Sequence, residues 1–507
     1  MTTGRHTAVD PRTPVLIGVG QVSQRPDDLS EAVEPLELMA RACEAAASDC
    51  GVNSVLGRVD ALRVVRGAWS YSDPGRLLAE RFGADRAVTA LTHHGGNTPQ
   101  SLVNRSAREI VDGRHDVVLI VGGETIWTRR RARREGFTIP TTAQTEAAPD
   151  EMIGAELPMN DDFETSRGLE MPVHLYPVFE SAIRGSRGET IEAHRDRISR
   201  LWEGFNRVAV ANPHAWNRTP MTAAEIREPG PGNRMVGFPY TRAMNSNWFL
   251  DQAAALILCS AATARDLGVA TDRWVFPWAG TDGSDTARVS ERIDLHSSPA
   301  IRIAGRRCLE LAGVGVEDLT HIDLYSCFPS AVQIAAAELA IPMDRPLTVT
   351  GGLTFAGGPL NNYVTHSIAT MAGLLRQDPG SPGLCTANGG YVTKHAFGVY
   401  SCTPPAEGFR AENCQAAIDA LVEPAKARVA SDHVGDVTIE AYTVMFDREG
   451  ADHALVALDA RPESARRGPV ARTWGRTSDP GILEALMDEE FIGRGARLTD
   501  TGEVVID

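Results

Sequence analysis

Between Cys50 and Cys259 the chain contains no cysteine, and none of its eight cysteines stands in a Cys-x-x-Cys pair. That spacing excludes a disulfide framework and a cysteine-held zinc ion, and fits a reduced, cytoplasmic protein. Long apolar runs are missing too. No stretch reaches the roughly 20 apolar residues of a membrane span, so no membrane partner is expected. Residues 1–12 are polar and lack the apolar centre of a secretory signal. Positive charge is in deficit: 50 Lys and Arg against 66 Asp and Glu give a net charge of −16. Such a surface repels polyphosphate, and with aromatics at only 6% it offers few stacking platforms, which argues against nucleic acid. There is no Walker A loop, no Gly-x-Ser-x-Gly elbow and no metal-ligand spacing. Gly18-Val-Gly20-Gln-Val-Ser23 imitates a dinucleotide turn, but its third glycine and acidic partner are absent.

What is present is a duplication. Leu91-Thr92-x-x-Gly95-Gly96 recurs as Leu353-Thr354-x-x-Gly357-Gly358, 353 − 91 = 262 residues later. Each copy ends an apolar stretch and opens a helix-like segment. Each then runs into a strand with a second glycine pair, Gly122-Gly123 and Gly389-Gly390. Upstream, Thr13–Val22, a helical Pro35–Cys50 and the strand Val59–Val65 are answered by Arg273–Ala279, a helical Ala300–Ala312 and the strand His321–Cys327. Solenoid repeats run on the order of 20–50 residues, so these are two halves of one α/β core, whose glycine turns meet at one site.

Four segments follow from the texture. Residues 1–128 form the first half. Residues 129–270, rich in Pro, Arg, Asn and acidic residues, form an inserted loop domain with a helix over Ile191–Ala211. Residues 271–403 form the second half. Residues 404–507 carry alternating strands at Val437–Phe446, His453–Leu458 and Glu503–Ile506 and a helix at Pro480–Asp488. That tail is expected to be β-rich and barrel-like, of the OB type.

Taken in order, these motifs resemble the thiolase superfamily over residues 13–403. Gly122-Gly-Glu124 resembles its Gly-Gly-x-Glu turn, and Asp323-Leu-Tyr-Ser-Cys-Phe328 its Asn-Glu-Ala-Phe or His-Asp-Cys-Phe motif. Gly351–Pro359 resembles the stretch ending Gly-His-Pro, and Leu384-Cys-Thr-Ala-Asn-Gly-Gly390 the final Cys-x-Gly-Gly. The tail resembles the extra domain of thiolase-like proteins of type 1, relatives of the sterol-carrier-protein thiolases and acetyl-CoA acetyltransferases. The resemblance implies a duplicated, layered α-β-α-β-α fold with an inserted loop domain. It also implies acyl-CoA as ligand or substrate, with no covalently bound cofactor. Fold alone does not settle activity.

Thiolase chemistry needs a cysteine nucleophile at a helix N-terminus, an activating histidine, a second cysteine to move a proton, and donors for the thioester oxygen. The matching turn here reads His93-His-Gly-Gly-Asn-Thr-Pro99, which puts Gly96 or Asn97 at the nucleophile position. Gly358 stands where the Gly-His-Pro histidine would be, and Tyr325 replaces the Asn or His of the third motif. Cys385 or Thr386 matches the last cysteine, depending on a one-residue shift that would flip the side chain across the strand.

The remaining chemistry falls to a few residues, each with a plainer alternative. Tyr325 is an acid or oxyanion donor, or a core aromatic. His395 replaces the missing base, or is simply packed. Cys327, sharing a strand face with Tyr325, and Cys385 are reactive thiols or small hydrophobes. Asn97 caps its helix or donates to the thioester. One of His93 and His94 points to the pocket and the other away. Arg129, Arg130 and Arg131 begin a run of five arginines ending at Arg134; they bind CoA phosphates or form a solvated helix face.

The leading reading is a thiolase-like protein binding CoA thioesters in lipid or steroid metabolism, without the usual cysteine chemistry. The alternatives are a retro-aldol lyase acting on a β-hydroxyacyl-CoA through Tyr325, and a non-enzymatic CoA-binding or assembly protein whose tail recruits a protein partner. The sequence leaves monomer and homodimer both open. With no cysteine in the nucleophile turn, acetoacetyl-CoA thiolysis should run at the background rate; a robust, enzyme-dependent loss of acetoacetyl-CoA absorbance would overturn this.

Overall fold

In the computed structural model, residues 9–144, 147–462, 464 and 468–506 are described. Apolar runs between glycine turns build the first sheet from β1 (Pro14–Ser23), β2 (Ala61–Val64), β3 (Val88–Thr92), β4 (Val117–Thr125) and β5 (Glu151–Ile153). The insertion carries a short hairpin, β6 (Met235–Gly237) and β7 (Tyr240–Thr241), before the chain returns as β8 (Asp251–Ser260). The order across the sheet is β1-β8-β4-β2-β3-β5. Every residue of β4 and β8 is buried, the continuous apolar pattern of a strand covered on both faces.

The second sheet comprises β9 (Phe276–Ser284), β10 (His321–Asp323), β11 (Pro382–Gly389), β12 (Lys394–Ser401) and β13 (Arg410–Asn413), in the order β10-β11-β12-β9-β13. Two helices, Thr98–Val111 and Tyr363–Gln377, lie between the sheets and touch strands of both. The helix Pro35–Asp49 covers the outer face of the first sheet, and Arg306–Ala312 that of the second. The layering is α-β-α-β-α.

The tail forms a third sheet from β14 (Arg428–Val429), β15 (Gly435–Phe446), β16 (Ala451–Asp459), β17 (Ala471–Thr477), β18 (Gly495–Leu498) and β19 (Val504–Val505). Its order is β14-β17-β16-β15-β18-β19, and β6 of the insertion pairs with β15 at Met445 and Gly237. The helices Ile191–Ala211 and Pro480–Asp488 stand where periodicity puts them.

Two details differ from the sequence reading. Leu91-Thr92 ends a strand, but Leu353-Thr354 lies in the one-turn helix Gly352–Phe355. The expected strand His321–Cys327 stops at Asp323. There the buried Asp323 carboxylate accepts the backbone N–H groups of Val349 and Thr350, and Leu324 donates to the Leu347 carbonyl. The chain leaves the sheet because a crossing segment takes these bonds. Tyr325 and Cys327 are therefore loop residues, not alternate residues of one strand.

Among the described residues no helix is long and apolar enough to cross a membrane, and no group of three or more His, Cys, Asp or Glu side chains suits a metal ion. Part of the polar stretch 1–12 lies outside the described residues.

The glycines that imitate a dinucleotide turn have a packing role. Gly18 and Gly20 lie inside β1, and a Cβ on either would overlap the carbonyl oxygens of Ala46 and Ala42 in the covering helix. Helix and strand approach closely because both residues lack a side chain. Gly20→Ala should cost about 1–3 kcal/mol by overpacking, read from urea unfolding; an unchanged midpoint and slope would contradict it.

Candidate functional site

The glycine turns of the two halves meet. Asn361, just beyond Gly357-Gly358, accepts the Gly95 N–H at 3.1 Å and donates to the Arg66 carbonyl at 2.8 Å. Asn362 donates to the Gly122 carbonyl at 2.7 Å, and its side chain fills the space a Cβ at Gly122 would need. A Cβ at Gly96 would strike the Tyr325 hydroxyl and the Asn388 carbonyl, and one at Gly389 would crowd Asn97. Four sequence motifs thus converge at the N-terminus of the helix Thr98–Val111.

Asn97 occupies the cap position of that helix, but its side chain makes no capping bond. Its Nδ2 reaches Ser101 at 3.4 Å, and its buried Oδ1 has no partner among the described residues. His93 and His94 both stay outside the buried site: His93 pairs with Glu156 at 2.9 Å, and exposed His94 contacts Asn361 at 3.1 Å.

Tyr325 and His395 share one small cavity, together with Thr386, Asn388 and apolar side chains such as Ile301 and Phe397. Its open volume of about 10 Å³ is room for one water. Two buried polar atoms of its lining have no hydrogen-bond partner among the described residues, Asn388 Oδ1 and His395 Nε2. Burial drives the Tyr325 phenol well above its ordinary range, with Cys327 adding to the rise. Burial lowers His395 to about 4, against a raising contribution from Asp285. Both groups are therefore neutral at pH 7.

Cys385 lies on the other face of β11. Its thiol accepts from Ser367 at 3.5 Å, in the helix between the sheets, and burial raises it strongly. Thr386 takes the inward position, and its hydroxyl accepts the Tyr325 N–H at 2.8 Å. The one-residue ambiguity is resolved by the register Asp323↔Cys385, which turns Cys385 away from Tyr325. Cys327 is nearer: Asn388 Nδ2 approaches its sulfur at 3.8 Å, and burial pushes the thiol up to about 12.

A second feature is a cleft of about 1160 Å³ between the arginine-rich helix Ile126–Glu135 and residues 232–249. Arg130, Arg131, Arg133, Arg134, Arg234 and Arg242 line it, along with Trp127 and exposed Trp248. The Arg130 guanidinium lies 4.5 Å from the Phe249 ring centre, a cation–π contact. Arg131 is at the rim, its guanidinium occupied by the Pro26 and Asp27 carbonyls and Glu135. Arg129 is not in the lining. The helix turns it to the opposite face, where it donates to the Ala68 carbonyl at 2.6 Å. The arginine run signalled Arg133 and Arg134. Nothing local signalled Arg234, Arg242 or Trp248, which the insertion brings back from far along the chain.

Cleft and cavity are neighbours. Ser246, in the cleft lining, donates to the Cys327 carbonyl at 2.7 Å, while Asn388, in the cavity lining, reaches the Cys327 sulfur. The Cys327 residue is the wall between them.

No family model matches the chain. Among solved structures, a monomeric SCP2-thiolase-like protein type 1 from Mycobacterium smegmatis is 30% identical, covers 98% of this chain and 100% of its own, and superposes with a TM-score of 0.82. The chain belongs to the SCP2-thiolase-like proteins of type 1. Other neighbours share the thiolase fold at lower identity. An Ltp2-ChsH2(DUF35) aldolase is 18% identical over 76% of this thiolase-like chain and 98% of its own, with a TM-score of 0.58. An acetyl-CoA acetyltransferase of Schizosaccharomyces pombe is 26% identical over 151 residues, 29% of this chain and only 36% of that enzyme's length.

Gly122-Gly123-Glu124, in β4, has its own electrostatics. Glu124 accepts the Ala68 N–H at 2.6 Å through one oxygen, while its other oxygen is buried with no partner among the described residues. Burial raises this carboxyl to about 7. A carboxyl raised in the folded state stabilises most when protonated in both states. Its contribution is complete below the ordinary range near 4.5 and is lost as pH rises toward 7. The loss is roughly 2–4 kcal/mol. Glu124→Gln, which keeps the acceptor for Ala68, should leave stability at pH 4.5 nearly unchanged and raise it at pH 8. Denaturant melts showing the same difference from the parent at both pH values would contradict this.

Proposed function

We propose that this thiolase-like protein binds a CoA thioester in the arginine-lined cleft and acts on it without a cysteine acyl-enzyme, in lipid or steroid metabolism. The observation that carries the reading is the cleft. Six arginines and exposed Trp248 line one concave surface beside the converging glycine turns. Guanidinium groups suit phosphate oxygens, and an exposed indole suits a purine. The reading is supported by the wall itself, since Ser246 of the cleft bonds the Cys327 carbonyl and Cys327 is two residues from Tyr325 of the cavity. A cytoplasmic location accords with eight unpaired cysteines.

A lyase acting on a β-hydroxyacyl-CoA is the second reading, favoured by the pairing of Tyr325 and His395 in one cavity. Neutral His395 would take the β-hydroxyl proton as the bond between the α- and β-carbons breaks, releasing an aldehyde or ketone. The Tyr325 hydroxyl would hold the enolate oxygen, and His395 would return the proton to the α-carbon to give the shortened acyl-CoA. In a third, non-enzymatic reading the cleft binds CoA and the tail recruits a protein.

Calorimetric titration with CoA tests the first reading. The double variant Arg130→Glu, Arg133→Glu should weaken binding at least tenfold and flatten its salt dependence; unchanged affinity would remove the cleft from consideration. Turnover on a panel of β-hydroxyacyl-CoA thioesters tests the second. Tyr325→Phe should reduce cleavage about 100-fold or more, whereas a full rate in that variant would sink the lyase. CoA binding with no turnover on any acyl-CoA would select the third.

A further inference from the structure

The imidazole of His395 has a buried acidic neighbour that the proposed chemistry does not yet use. Asp285 Oδ2 lies 3.9 Å from His395 Nε2, beyond a direct hydrogen bond but close in Coulomb terms, and both side chains are almost wholly buried. Asp285 is held firmly. Ser298 donates to one of its oxygens, the Ala300 N–H to the other, and its own N–H bonds the Thr393 carbonyl at 2.8 Å. The strap that carries it, residues 285–300, is tied to the turn before β12 by Arg292, which donates to the Val392 carbonyl at 2.9 Å.

The C-terminal domain grips the same strap. Arg472 of β17 is fully buried, and its Nη1 donates to the carbonyls of Arg292 at 2.6 Å and Ser290 at 3.2 Å. Glu440 of β15 pairs with its other nitrogens, so this guanidinium is neutralised in place. Trp474 donates to the Ser290 hydroxyl at 2.9 Å. A buried cation is costly unless it is paired and hydrogen-bonded, and Arg472 is both, through Glu440 and the strap carbonyls.

We propose that Asp285 is a positioning residue for His395, and that the C-terminal domain, through Arg472, keeps Asp285 in place. This rests on the reading that His395 is the base of the site. A base is effective when a third group fixes its tautomer and orientation. The charged groups facing His395 are Asp285 and Arg292 of the strap, with the Tyr325 phenol across the cavity. The carboxylate lies on the Nε2 side, so it favours a proton there in the neutral ring and leaves Nδ1 as the nitrogen that accepts the substrate proton.

Nitrogen NMR of the full chain, labelled in its histidine rings, tests this without requiring turnover. The His395 signal is identified by its loss in His395→Gln. In the parent the proton should reside mainly on Nε2 at pH 7. Asp285→Asn should shift at least half of that population to Nδ1, and Arg472→Gln should move it in the same direction by less. If Asp285→Asn does not fold, Arg472→Gln alone decides. The parent tautomer retained in a folded variant overturns the proposal. A shifted tautomer in a protein that turns over no acyl-CoA would instead defeat the assignment of His395 as base and leave the positioning intact.

Discussion

Two adjacent asparagines hold the halves of the core in register. The duplicated turns bury backbone groups that no strand or helix pairs, and an unpaired buried amide costs about 1–3 kcal/mol. Asn361 and Asn362 supply the partners from across the interface: the Gly95 N–H and the Arg66 carbonyl for one, the Gly122 carbonyl for the other. The absent Cβ at Gly122 makes room for Asn362. The glycines and asparagines are therefore one device, since the small residue in one half admits the polar side chain of the other. The placement of Gly96 against Tyr325, and hence the cavity, depends on it.

The charges of the two neighbouring regions are sorted by burial. Burial keeps the two titratable groups of the cavity neutral, raising the Tyr325 phenol and lowering His395 to about 4, and it pushes the Cys327 thiol in the adjoining wall up to about 12. The cleft is open to water, where arginines cost little to keep charged. An anionic ligand would be recognised by charge in one region and handled by neutral donors and acceptors in the other. The family's usual thiolate would sit at the positive end of the Thr98–Val111 helix dipole. Here that end faces the uncharged Asn97, whose side chain makes no capping bond and whose Oδ1 has no partner among the described residues.

What the sequence made legible follows from local rules. The sequence reading placed helices at Ile191–Ala211 and Pro480–Asp488 and strands at β1 and β4, where the structure has them. The meeting of the glycine turns followed from duplication. What was not legible depends on rotation and long-range pairing. Cys385 and Thr386 are told apart only by the register of β11 against β10. Arg129 and Arg130 are told apart only by how one helix turns over the first sheet. The strand that ends early at Asp323 is cut short by bonds from residues 347–350, which no local pattern around Tyr325 could reveal. Asp285 escaped notice because its partner lies over a hundred residues away in another strand.

The tail is bound into both regions at once. Its strand β15 extends the third sheet through β6 of the insertion, and Gly232, Arg234 and Val236 of that hairpin line the cleft. Arg184 of the insertion, nearly inaccessible, donates to Glu490 at 2.8 Å and to the Tyr442 hydroxyl at 2.8 Å. On the other side, Arg472 and Trp474 hold the strap behind His395. One rigid sheet therefore fixes a wall of the cleft and the support of the cavity. A shift of the tail would move the cleft wall and the strap behind His395 together.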